Sequence, residues 1–110
     1  MPKEADLVFD LRFLQNPYFV EALRPLSGKD EAVRQFIFAN ETAREYCSKI
    51  IEFCCFVLPK MEIEGRYRVS VALGCTGGRH RSVAFAEELS AKLRELDYTT
   101  SLEHRHLALG

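Results

Sequence analysis

Along residues 5–12, Ala-Asp-Leu-Val-Phe-Asp-Leu-Arg, Leu7, Phe9 and Leu11 fall on one face and Val8, Asp10 and Arg12 on the other. A period of two predicts a strand. A loop follows, punctuated by Asn16-Pro17, Arg24-Pro25 and Ser27-Gly28. The period then lengthens. Asp30 is a candidate cap, and Val33, Phe36 and Ile37 keep helical spacing after it. Apolar positions continue through Ala43, Cys47, Ile50, Ile51, Cys54 and Leu58. Asn40, a good capping residue, is a candidate break between two helices, and Pro59 is expected to end the second.

The β-branched run Tyr67–Leu73 predicts a second strand, with Val69, Val71 and Leu73 on one face. Val83, Ala86, Leu89, Leu93 and Leu96 define a helix of about four turns. A short last strand is expected over Tyr98–Leu102. Strand–helix–strand–helix–strand order predicts an α/β fold, a small three-layer sandwich whose mainly parallel sheet (βαβαβ) is joined by right-handed crossovers. In such sheets ligands gather beyond the carboxyl ends of the strands. Arg12 with Asp10, the turn after the second strand, and His104-Arg105 should therefore meet at one edge.

That turn reads Gly74-Cys75-Thr76-Gly77-Gly78-Arg79-His80-Arg81-Ser82. Paired glycines let backbone N–H groups approach a ligand closely, and a helix start carries partial positive charge. Two guanidiniums at a helix start oppose that dipole, an arrangement that makes sense when an anion sits there. The turn is thus read as a site for phosphate or another oxyanion, formed by Cys75, Thr76, Gly77, Gly78, Arg79, His80, Arg81 and Ser82 with Arg12. Arg79 and Arg81 lie two positions apart, so one is expected to face the anion and the other a partner or carboxylate. Thr76 and Ser82 either bond the ligand or cap the helix. His80 is either a donor or acid–base group or an ordinary surface histidine. Asp10 is expected to orient Arg12 or Arg81 by an ion pair. Phe13, Tyr18 and Phe19 either form a stacking surface or, the commoner use, pin their loop to the core.

Composition bounds these readings. At 110 residues the chain is one domain, residues 1–110, and 47% hydrophobic with 28% charged residues describes an ordinary globule. No apolar run is long enough to span a bilayer, and the first residues lack a signal-peptide core, so the cytoplasm is the expected compartment and no membrane partner is foreseen. A net charge of −1 argues against a general nucleic-acid coat. Basic residues gain on acidic ones toward the carboxyl end: residues 65–110 hold 7 Lys/Arg against 5 Asp/Glu, whereas residues 1–64 hold 8 against 11. The four cysteines make no C-x-x-C pair, so no metal or cofactor is expected, and Cys47 and Cys54 read as small core residues.

Cys75 and Arg81 also satisfy C-x5-R, a spacing similar to the phosphate loop of cysteine-based protein tyrosine phosphatases, where a thiolate attacks phosphorus and an Arg holds its oxygens. Gly74 stands where that motif carries histidine, and no loop aspartate declares itself as the general acid. The alternative function is therefore a cysteine-dependent phosphatase using Cys75 and Arg81, and the main reading is non-enzymatic. A third is an interaction domain whose turn holds only adventitious anions.

Gly-Cys-Thr-Gly-Gly-Arg-His-Arg-Ser-Val at 74–83 closely resembles the hallmark of the C-terminal domain of RapZ-type RNase adapter proteins. Asp6–Leu14 with Asn16-Pro17, Leu23-Arg24-Pro25, Ser27-Gly28 with Asp30, Leu58-Pro59, and Ala86-Glu87 with Leu89 match further landmarks in order, so the likeness spans nearly the whole chain. The resemblance implies a fold similar to a phosphofructokinase subdomain and a regulatory binding domain that holds a phosphorylated metabolite or nucleotide, a sugar phosphate foremost. It also implies RNA as a partner, with contacts at Arg79, His104 and Arg105, and self-association into a homo-oligomer. The family's N-terminal half, with its G-x-x-x-x-G-K-[ST] loop, has no counterpart here, so the chain reads as a stand-alone or truncated domain without ATP hydrolysis. Glu103 replaces an arginine of the family pattern and the basic tail beyond is missing, which should weaken RNA binding.

Overall fold

The computed structural model describes residues 5–66, 68–74 and 79–100. In chain order these form strand β1 (Leu7–Asp10), a 3-10 turn (Pro17–Phe19), helices α1 (Glu31–Phe38) and α2 (Glu41–Ile63), strand β2 (Val71–Gly74) and helix α3 (Arg81–Glu95). The fold is α/β. The two strands pair in parallel, Leu7 opposite Val71 through Asp10 opposite Gly74. Parallel neighbours need a long crossover, and α1 and α2 supply it. Both strands consequently end side by side, and the Leu11 amide donates to the Gly74 carbonyl at 2.7 Å just past the last pair.

The alternation read from the sequence sets the strand faces. Leu7 and Phe9 are half-buried, Leu11 is fully buried, and Val8 and Asp10 face outward. Ala43, Cys47, Ile50 and Cys54 line the inner face of α2 at helical spacing. They meet Val33 and Ile37 of α1 and Ala84, Phe85, Leu89 and Leu93 of α3 in one core with Leu11, Leu14 and Leu23. Phe85 is stacked on Phe38 at 5.4 Å between centroids.

The break at residue 40 is real, because Asn40 accepts a hydrogen bond from the Ala43 amide and starts α2. Asp30 occupies the N-cap of α1 but its carboxylate turns back to accept from the Ser27 amide at 2.8 Å. Pro59 does not end α2, which continues to Ile63. Proline deletes the N–H that would bond the residue 55 carbonyl. Pro59 is exposed, so water can satisfy that carbonyl, and only one further turn has to form beyond it.

The expected last strand is not present over Tyr98–Thr100; Ser101 and Leu102 lie outside the described residues. The physical reason is the way α3 stops. Asp97 adopts φ 69°, the Asp97 amide donates to the Arg94 carbonyl and the Tyr98 amide to the Leu93 carbonyl. This double closure is a Schellman cap, which reverses the chain. Thr100 then binds back to α3 through Ser90 Oγ at 2.6 Å and Arg94 Nε at 2.8 Å. Nor does the second strand begin at Tyr67, because Arg68–Ser70 carry no strand and Tyr67 lies outside the described residues.

Candidate functional site

The corner where both strands end is closed by the start of α3. His80 takes the N-cap position and Arg81 is the first helical residue, with no carboxylate in the first turn to offset the positive end of the dipole. Each side chain of the Arg79-His80-Arg81 triplet reaches a different stretch of the loop that follows β1. Arg79 donates from Nε to the Leu26 carbonyl and from Nη2 to the Pro25 carbonyl, both at 3.0 Å. The His80 imidazole lies 3.1 Å from the Leu23 carbonyl through Nε2. Arg81, only 2% exposed, donates from Nη1 to the carbonyls of Arg12 at 2.9 Å and Leu14 at 3.0 Å, with a longer approach to Leu11 at 3.4 Å.

Arg81 Nε is buried, and its N–H meets no acceptor among the described residues. A buried orphan of this kind costs about 1–3 kcal/mol, so such groups call for an explanation.

Arg12 sits beside the corner on the exposed side. Its guanidinium grips Asp10, with Nε 3.0 Å from Oδ1 and Nη2 2.7 Å from Oδ2, and its amide donates to Oδ1 at 2.9 Å. These bonds, with Arg81 adding a smaller electrostatic pull, bring the Asp10 carboxyl down to about 2. Asp10 therefore has the orienting role expected of it, toward Arg12. The division foreseen between Arg79 and Arg81 is different: both guanidiniums donate to main-chain carbonyls, and neither meets a carboxylate among the described residues. Burial holds His80 below its ordinary pKa, and the neighbouring Arg79 charge pushes the same way. It is a buried neutral ring at neutral pH and not a surface histidine. Ser82 follows on α3 and is half-buried. Cys75, Thr76, Gly77 and Gly78, and likewise His104 and Arg105, lie outside the described residues.

Two contributors escaped the sequence reading. Gly28 packs directly under the triplet: its amide donates to the Arg79 carbonyl at 2.9 Å. A Cβ there would run into the Ala84 nitrogen and the His80 carbonyl oxygen and lie 2.8 Å from Val83 Cβ. Ser27-Gly28 signals only a turn in one dimension; the contact is with a helix over fifty residues away. Tyr46 of α2 donates its hydroxyl to the Asp10 carbonyl at 3.1 Å, fixing the end of β1 from the other side. An expectation about the loop aromatics is also revised. Tyr18 and Phe19 are 51% and 78% exposed and do not pin the loop, whereas Phe13, though 62% exposed, meets Tyr46 of α2 edge to face at 4.9 Å. Leu14, Pro17 and Leu23 pin the loop.

Parallel strands that end side by side against one helix start define an α/β domain, and in such sheets ligands gather beyond the carboxyl ends of the strands. The sequence profile of the RapZ C-terminal domain matches residues 1–108, and the chain belongs to that family. It is 63% identical over its full length to a nucleotide-binding protein of Desulfovibrio desulfuricans (strain ATCC 27774 / DSM 6949 / MB), covering 36% of that protein. It is 58% identical over its full length to a nucleotide-binding protein of Nitratidesulfovibrio vulgaris (strain DP4), again covering 36%. A nucleotide-binding protein of Fervidobacterium nodosum (strain ATCC 35602 / DSM 5306 / Rt17-B1) shares 47% identity over the full chain, which covers 39% of it. The chain thus spans little more than a third of the length of these relatives.

Proposed function

We propose that this domain is a regulatory binding module that holds a phosphorylated metabolite or nucleotide, a sugar phosphate foremost, at the start of α3. The observation that carries the reading is Arg81: a buried cation at a helix N-terminus with no acidic residue in its first turn, whose Nε–H has no acceptor among the described residues. The glycine turn 75–78 would supply amides to the same anion. Arg79, His80 and Arg81 would act chiefly by holding the loop wall in place, and the two guanidiniums add positive potential. Membership of a family whose relatives are called nucleotide-binding proteins favours the same ligand class. RNA is proposed as a second partner, with Arg79, His104 and Arg105 as candidate contacts.

The phosphatase alternative is the weaker reading. Gly74 stands where the phosphatase loop carries histidine, and no loop aspartate declares itself as the general acid. Isothermal titration with a hexose phosphate, a nucleoside phosphate and inorganic sulfate tests the proposal. One saturable site is expected for one of the phosphorylated compounds, at least about tenfold tighter than sulfate. Equal weak binding of all three would reduce the corner to a generic anion hole. Hydrolysis of an aryl phosphate that disappears in Cys75→Ser would instead establish the enzyme.

A further inference from the structure

The 3-10 turn Pro17–Phe19 is built to hold two aromatic rings in water. Asn16 caps it, its Oδ1 accepting from the Tyr18 amide at 3.1 Å. Pro17 is fully buried and anchors it. Arg24 Nε donates to the Tyr18 carbonyl at 2.8 Å from the far end of the loop. None of these devices buries Tyr18 or Phe19; Phe19 stands 78% exposed and meets Tyr18 edge to face at 5.9 Å. The Arg24 guanidinium lies 4.9 Å from the Tyr18 ring centroid. A rigid backbone that displays aromatic rings beside a guanidinium is a preorganised recognition surface.

The charge around it selects the partner. The loop and the helix start clamped to it carry Arg12, Arg24, Lys29, Arg79 and Arg81 against Asp10, Glu21 and Asp30, although the whole chain is net negative. A partner with flat π faces and a negative backbone matches both features, and a single-stranded nucleic acid has both. We propose that Tyr18 and Phe19, with Arg24, form a stacking platform for unpaired bases of single-stranded RNA. This rests on the RNA-binding reading above and assigns it a surface apart from the motif residues already named. Sequence tolerance follows, because every base has a face to stack.

The test measures anisotropy of a labelled oligouridylate of about 12 nucleotides with the full chain and with the doubly substituted Tyr18→Ala/Phe19→Ala protein. Both side chains are exposed, so the variant should unfold at the wild-type temperature. Affinity for the oligonucleotide is expected to fall roughly five- to a hundredfold, while affinity for a heparin fragment, which offers charge without bases, stays within about twofold. Phe19→Trp should retain RNA binding and show quenched fluorescence in the complex; the chain otherwise contains no tryptophan. If the wild-type chain binds no RNA, the RNA reading fails and the platform with it. If variant and wild type bind RNA equally, the RNA reading survives and the platform is overturned. A variant that keeps its RNA affinity but loses a self-associated species in sedimentation would make the patch a protein contact, which also overturns the proposal.

Discussion

Arg81 does two jobs with one side chain. Its Nη1 ties carbonyls of residues 12 and 14 to the first turn of α3, and its Nε has no partner among the described residues. Arg81→Ala should therefore lower stability by roughly 3 kcal/mol, since charge-assisted bonds are lost and buried carbonyls are orphaned. Arg81→Lys should recover only part of this, because an ammonium lacks the planar fork. Urea unfolding measures both. His80 adds a pH dependence. Its folded pKa lies below the ordinary 6.5, so the unfolded chain binds the proton more readily. Its contribution is complete above about pH 6.5 and is lost as pH falls toward the depressed value. The urea midpoint of the wild type should drop between pH 7.5 and 5.5, and His80→Asn should flatten that slope. Asp10 acts in a lower window, with stability present above its unfolded pKa near 3.8 and lost as pH falls through about 2. A wild-type midpoint that does not change across these ranges would contradict both assignments.

At the scale of elements, the loop between β1 and α1 and the start of α3 behave as one clasp, and Gly28 is where they touch most closely. Gly28→Ala should cost about 1–3 kcal/mol, because the obstacles to a Cβ are backbone atoms that cannot swing aside. Gly65→Ala makes a useful contrast: nothing crowds a Cβ there, and any loss comes from its positive φ alone. Differential scanning calorimetry of the two variants separates packing from backbone strain. What could be read beforehand follows from the range of each interaction. β1, the division of the helices at Asn40 and the span of α3 depend on local periodicity and capping, and they were legible. The continuation of α2 past Pro59 was not, because exposure of that turn decides it. The reversal at Asp97 was hidden for a similar reason: aspartate in a left-handed conformation is unusual, and only the closing bonds to α3 make it pay.

For the molecule as a whole, parallel pairing is the decisive feature. It brings Asp10 and Gly74 side by side, so the loop after β1 and the start of α3 reach the same corner although their residues are some seventy positions apart. The convergence of Arg12 with the Arg79–Arg81 triplet was legible from strand–helix order. The partners of each guanidinium were not, since main-chain carbonyls carry no sequence signal. Cys47 and Cys54 match their reading as core residues: both are buried, and burial raises their thiols to about 11. They should resist alkylation by iodoacetamide at pH 7.5 in the folded state and react at once in urea.

Whether the Arg81 Nε–H, which has no acceptor among the described residues, seats an oxyanion decides the proposed function. Two-dimensional 1H–15N NMR of the arginine Nε–H groups during titration with the hexose or nucleoside phosphate that binds observes it directly. A downfield shift of the Arg81 Nε–H that saturates with one equivalent is the expected result. Saturable binding that leaves this resonance where it was would contradict it.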